Sequence, residues 1–309
     1  MPITAPVLLI AFNRPETTQQ VFDSIKKARP KRFYFSVDGP RPGNETDGIN
    51  CRKTRDIIKQ VDWDCEVFTN FADQNRGCAK GVSGAITWAF SNEDRMIILE
   101  DDTVAALPFF SYCEYLLEKF KHDTRICMIS GNNYTEEDNN TDESYYFSYF
   151  GHIWGWATWK RAWDTFDLSM SDWPLFRDTG QIKNLFTKRK EQQYFISFYT
   201  DFLQEKAKGT WDYQWFYCRF KNSGLSIVPK TNLVTNVGVQ GTHTKIKATA
   251  HFLPVSENFK IEKEPQFIIR NLHYDTYHFK KIIRLKRSII ARAFQKLIKI
   301  LSINSKKSD

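Results

Sequence analysis

Four apolar residues followed by three carboxylates, Met96-Ile97-Ile98-Leu99-Glu100-Asp101-Asp102, constrain this chain more than any other stretch. An apolar run this short reads as a strand buried on both faces. Such strands belong to open α/β sheets, whose ligands bind at the carboxyl edge. Three adjacent negative charges at that edge repel one another, so their placement adds nothing to stability by itself. They call for a shared cation. A hard divalent ion that also holds phosphates takes one or two protein carboxylates and leaves its other positions to phosphate oxygens and water. The plainer alternative is an acidic turn capping the helix that begins near Pro108.

The first hundred residues alternate strand and helix patterns. Val7 to Phe12 reads as a strand, with Pro15 at the favoured first position of a helix to about Lys27. Arg32 to Val37 is a second strand ending in Asp38-Gly39-Pro40, and a helix follows over Cys51 to Val61. Cys65 to Thr69 is a third strand, and the loop Asn75-Arg76-Gly77-Cys78-Ala79-Lys80-Gly81 leads into a helix to about Phe90. The strand carrying the acidic triplet is the fourth. Alternation of this kind predicts an α/β fold with a mostly parallel sheet flanked by helices. A helix to about Lys121, a strand over Ile126 to Ser130, helices across 181–222 and a strand at Leu225 to Val228 follow.

Charge is unevenly placed. Of 44 Lys and Arg, ten fall between Thr276 and Ser308, where there is no Asp or Glu, leaving 34 basic against 36 acidic residues elsewhere. The body is therefore nearly neutral, which argues against a nucleic-acid partner. From His278 to Leu301, apolar residues recur at helical spacing with Lys and Arg on the other face. That pattern predicts an amphipathic helix lying on an anionic membrane surface, or else packed on its own domain. No stretch approaches eighteen consecutive apolar residues, so no membrane span is expected. The N-terminus reads as a first strand rather than a signal peptide. Six scattered cysteines read as buried thiols of a cytosolic protein. A cytoplasmic location with peripheral attachment to the membrane's inner face is the expectation.

Asn13 and Arg14 follow the first strand and precede a helix, where a cation and backbone N–H groups suit a diphosphate or the edge of a base. A surface salt bridge is the alternative for Arg14. Arg76 and Lys80 lie in a loop at the same sheet edge and suit a diphosphate too. Four segments together resemble GT-A-type nucleotide-sugar glycosyltransferases, and are most similar to the N-acetylglucosaminyltransferase I family. They are Pro6-Val-Leu-Leu-Ile-Ala-Phe-Asn-Arg14, Val37-Asp38-Gly39, Leu99-Glu-Asp-Asp102, and Thr210-Trp-Asp212 with Trp215 beyond. They fall in the family's order over residues 6 to about 216.

The resemblance implies a GT-A domain over 1–275, with a nucleotide-binding half at 1–130, an acceptor-side half at 145–275, and a basic tail at 276–309. It implies a UDP-sugar donor, a glycan or lipid-linked acceptor, and Mn²⁺ or Mg²⁺ as cofactor. Asp102 would bind the metal, Asp101 the ribose hydroxyls, Glu100 the transferred sugar, and Asp38 the imide N–H of uracil. Inverting transfer also needs a base. Asp212 is the candidate, although Tyr213-Gln214 stands where the family has a second acidic residue before the next tryptophan. The segment around Trp154, Gly155 and Trp156 suits a wall of the sugar pocket, because sugar C–H faces rest on aromatic rings, but it also suits a core. His243 is a candidate second metal ligand or diphosphate cover. Another nucleotide sugar or a retaining outcome stays open. A nucleotidyltransferase would be expected to carry a glycine-rich loop after its first strand, which Ala11-Phe12-Asn13-Arg14-Pro15 lacks. A non-enzymatic glycan-binding or membrane-active module would have no need of Glu100-Asp101-Asp102.

Overall fold

The computed structural model describes residues 2–134, 141–204, 209–238 and 253–283. The expected His243 site and the tail beyond 283 lie outside the described residues. In chain order the elements are β1 (Val7–Ala11), α1 (Pro15–Ala28), β2 (Arg32–Val37), α2 (Glu45–Asp56), β3 (Glu66–Phe71), α3 (Gly77–Ala89), β4 (Arg95–Glu100), β5 (Thr103–Ala105) and α4 (Leu107–Lys119). Then come β6 (Ile126–Ser130), β7 (Tyr145–Ser148), β8 (Trp156–Trp159), α5 (Lys160–Trp163), α6 (Trp173–Asp178), α7 (Ile182–Leu185), α8 (Arg189–Gln204), α9 (Asp212–Lys221), β9 (Leu225–Pro229), β10 (Val234–Asn236) and α10 (Leu272–His278).

Eight strands form one sheet in the order β3-β2-β1-β4-β8-β6-β9-β7. The β3, β2, β1 and β4 neighbours pair in parallel, as the strand–helix alternation predicts, and so do β6 and β9. Antiparallel β8 lies between β4 and β6, and antiparallel β7 closes the far edge. The apolar strands are buried on both faces. Val7 and Leu9 of β1 enter one core with α1 and α4, while Leu8 and Ile10 enter another with α3, α8 and α9. This two-sided burial explains why β1 and β4 carry no polar alternation.

A second, two-stranded sheet positions the site. β10 pairs antiparallel with β5, Asn236 opposite Thr103, and Val237 N–H donates to the Asp102 carbonyl at 2.8 Å. This brings residues 236–238 to the acidic end of β4.

The expected boundary at 275 falls inside α10. Tyr274, Asp275, His278 and Phe279 are buried, and Phe279 packs on Tyr194 and Phe195 of α8. The Asp275 carboxylate accepts from Ser148, Arg270 and the Tyr149 N–H. His278 and Phe279 therefore pack within the folded body, past the expected boundary. No described helix is long and apolar enough to cross a membrane.

Candidate active site

The acidic triplet divides its side chains between two surroundings. A tight turn follows Glu100, whose N–H donates to Thr103 Oγ1 at 2.9 Å while that hydroxyl donates back to the Glu100 carbonyl. Asp101 turns toward the end of β1. It is 4% exposed, accepts the Phe12 N–H at 3.2 Å, and is held by Arg14 through two guanidinium nitrogens. Asp102 lines a cleft and receives Arg14 Nη1 at 3.0 Å. The shared cation that the sequence demanded is, in part, Arg14. Although burial opposes it, the Asp101 and Asp102 charges raise the Arg14 pKa above its ordinary value.

Asp212 reaches the same cleft from the far part of the chain. It is the first residue of α9, and its carboxylate accepts from the Thr210 hydroxyl. The helix start is fixed by tryptophan packing. Trp211 stacks on Trp156 with ring centroids 5.7 Å apart, and Trp215 lies 5.7 Å from Trp156 and 5.3 Å from Trp163. Trp154, Cys78 and Asn236 complete much of a cleft of about 180 Å³ around Glu100, Asp102 and Asp212.

Three carboxylates in one small cleft leave a clear electrostatic signature. Burial first, then the charges of Asp102, Asp101 and Asp212, push the Glu100 carboxyl well above its ordinary value, with Arg14 opposing. Burial and Asp101 raise Asp102 too. The Cys78 thiol is pushed up to about 12 by burial, with Glu100 and Asp212 adding to it. Among the described lining residues there is no Lys, Arg or His. A divalent cation suits this surplus of negative charge. No three metal-binding side chains converge into a cage among the described residues. A cation would accordingly take Asp102 and complete its shell with substrate oxygens and water.

Other expected residues have different places. The Asp38 carboxylate accepts from the N–H of Gly39, the side-chain amide of Asn75 and the N–H of Arg76, the last through both oxygens. These three donors fasten the β2 end to the start of α3 and take up about three of the carboxylate's roughly four acceptor positions. The Asp101 oxygens accept from Arg14 and the Phe12 N–H, and Asp101 is not among the residues that line the cleft. Asn13 donates to Asp47 at 2.7 Å, and Arg41 holds that carboxyl down to about 2. The Arg76 and Lys80 side chains are exposed and do not line the cleft.

The tryptophan segment splits. Trp154 lines the cleft, whereas Trp156 is fully buried under α9, the core placement that the sequence left open beside the sugar-pocket one. Gly155 has φ +64°, and a Cβ there would lie 2.6 Å from the Val234 side chain, so the backbone requires glycine at this position.

Sequence reasoning missed Cys78 and the pair Asn236 and Gly238. Gly238 packs directly on the Asp102 carboxylate, leaving no room for a side chain. The short Val234-Thr235-Asn236 strand was the available signal. A larger cavity of about 500 Å³ lies elsewhere, between α4 and residues 259–264, and holds none of the triplet.

No family model and no curated protein matches the chain. Among solved structures, HddC from Yersinia pseudotuberculosis is similar over 55% of this chain and 80% of that one, with 11% identity and a TM-score of 0.31. The inositol-1-phosphate CTP transferase from T. maritima is similar over 58% of this chain and 83% of that one, with 10% identity and a TM-score of 0.31. Likeness this remote carries no argument about what the cleft does.

Proposed function

We propose that the chain is a GT-A-type glycosyltransferase that moves a sugar, GlcNAc in the first instance, from a UDP-sugar to a glycan or lipid-linked acceptor with inversion. The observation that carries this reading is the convergence of Asp212 with Asp102 and Glu100 in one cleft beside Trp154. Sugar transfer needs a base at the acceptor, a counter-charge for the leaving diphosphate, and a surface for the sugar between them.

Asp212 is the base. Its carboxylate takes the acceptor hydroxyl proton as the oxygen attacks the anomeric carbon. The bond to the diphosphate breaks on the opposite face, and the electron pair leaves with the diphosphate. Asp102 would hold Mn²⁺ or Mg²⁺, which when bound supplies positive charge against the departing diphosphate. Glu100, at the cleft wall, makes a hydrogen bond to a hydroxyl of the transferred sugar, and Trp154 offers a ring face to its C–H groups. The basic tail, beyond the described residues, attaches the enzyme to an anionic membrane surface on the cytoplasmic side.

Incubation with a panel of nucleotide sugars and Mn²⁺, followed for sugar release, tests this without knowledge of the acceptor. Slow hydrolysis of one UDP-sugar, lost in Asp102→Ala, is the expected result. A parallel incubation with CTP or UTP and sugar phosphates reports nucleotidyl transfer through pyrophosphate. Pyrophosphate formation without nucleotide-sugar hydrolysis would overturn the proposal.

A further inference from the structure

We infer that Arg14 is a resident placeholder for the divalent cation, occupying Asp102 while the cleft holds no metal and yielding it, with Asp101 as the pivot, when cation and diphosphate arrive together. The inference rests on the proposed reading of the cleft and concerns how its ligands are coupled.

The two carboxylates that Arg14 bridges are not equivalent. The Asp101 side chain is 6% exposed and is additionally fixed by the Phe12 N–H, so it is the better anchored of Arg14's two partners. The Asp102 side chain is 17% exposed, lines the cleft, and shares one contact of 3.0 Å with Arg14. The Arg14 backbone cannot follow a moving side chain. Its carbonyl accepts from the Thr18 N–H and hydroxyl, and Pro15 begins α1 immediately after it. Exchange is therefore confined to the guanidinium end. That group has five N–H donors in a rigid fork, and three contacts to Asp101 and Asp102 occupy only part of it.

The charges give the exchange a direction. A divalent ion arriving alone meets the Arg14 charge 3.0 Å from one oxygen of the carboxylate it needs and is repelled by it. A diphosphate arriving alone meets the carboxylates of Glu100, Asp102 and Asp212. Arriving together they resolve both conflicts, because the cation takes Asp102 and the released Arg14 nitrogen faces phosphate oxygens. Each ligand thus raises the affinity of the other by the same factor, as linkage requires.

The test measures nucleotide-free Mn²⁺ binding by electron paramagnetic resonance, with and without UDP. The double variant Arg14→Met with Asp101→Asn removes one positive and one negative charge. The cleft's net charge is unchanged and only the Asp102 oxygen is released. It is expected to bind Mn²⁺ without nucleotide about tenfold tighter than the wild type and to lose a similar factor from the gain that UDP brings. Arg14→Lys keeps the charge but cannot span two carboxylates, so it should move the same way by a smaller factor. It also serves if the double variant does not fold. Unchanged nucleotide-free affinity in the folded variants, with UDP-dependent Mn²⁺ binding intact, would overturn the placeholder and leave the proposed function standing. Absence of Mn²⁺ binding with UDP in every protein, wild type included, would overturn the proposed function itself.

Discussion

Glu100, the last residue of β4, and Asp212, the first of α9, line one cleft, and the Asp212 charge adds to burial and to the Asp102 and Asp101 charges in raising the Glu100 carboxyl well above its usual range. A carboxyl raised in the folded state binds more protons there than in the unfolded chain. Stability therefore falls as pH rises from the unfolded carboxyl value, about 4.3, through the folded one. Thermal unfolding without metal should show this decline, and Glu100→Gln should flatten it. Mn²⁺ with UDP should flatten it in the wild type. A wild-type profile identical to that of Glu100→Gln would remove the electrostatic account of the cleft.

Binding of UDP should require a divalent cation, and Asp102→Ala should abolish that requirement together with activity. Calorimetry decides it directly. Full UDP affinity in the wild type with the metal chelated would end the role given to Asp102.

Asp212→Asn preserves shape and removes the base, so turnover with a true acceptor should fall roughly 10²-fold or more. UDP affinity should stay within about twofold, because a general base acts on the acceptor and not on the nucleotide. Near-normal turnover would move the search to another acid, beginning with Asp201.

The strands and the acidic edge were legible because two-sided burial imposes an uninterrupted apolar run, which β1 and β4 each carry. The Thr210-Trp-Asp212 resemblance singled out the residue that the fold sets in one cleft with Glu100 and Asp102. What stayed hidden depends on partners distant in sequence. A carboxylate after a strand gives no sign of which chain groups it will accept from, and the contacts of Asp38 with Arg76 and of Asp101 with Arg14 appear only in the fold. Trp154 and Trp156 sit two residues apart, and local spacing cannot say which of them α9 covers. Asn236 and Gly238 enter the site only because β10 pairs with β5.

That division between the two tryptophans is testable. Trp156→Ala should cost about 3–5 kcal/mol of stability, the usual loss for a large aromatic in a core, and should weaken turnover by releasing the start of α9. Trp154→Ala should leave the melting temperature nearly unchanged and raise the KM for the donor sugar. Denaturant unfolding of both variants, set beside donor kinetics, separates the cases. Equal destabilisation by the two changes would place both rings in the core.

The place of α10 changes where the chain can be cut. Truncation after Asp275 removes buried His278 and Phe279 and exposes the face of α8 that Phe279 covers, so that product should be insoluble or unfolded. Truncation after Ile283 spares those contacts. It removes Arg284, Lys286, Arg287, Arg292, Lys296, Lys299, Lys306 and Lys307 and should leave a folded, UDP-binding body. Each Lys or Arg near an anionic surface contributes about 1 kcal/mol of attraction. The full chain should therefore sediment with anionic liposomes and be released by salt, while the protein ending at Ile283 stays in solution. Equal partitioning of the two would show that the residues beyond 283 are not the anchor.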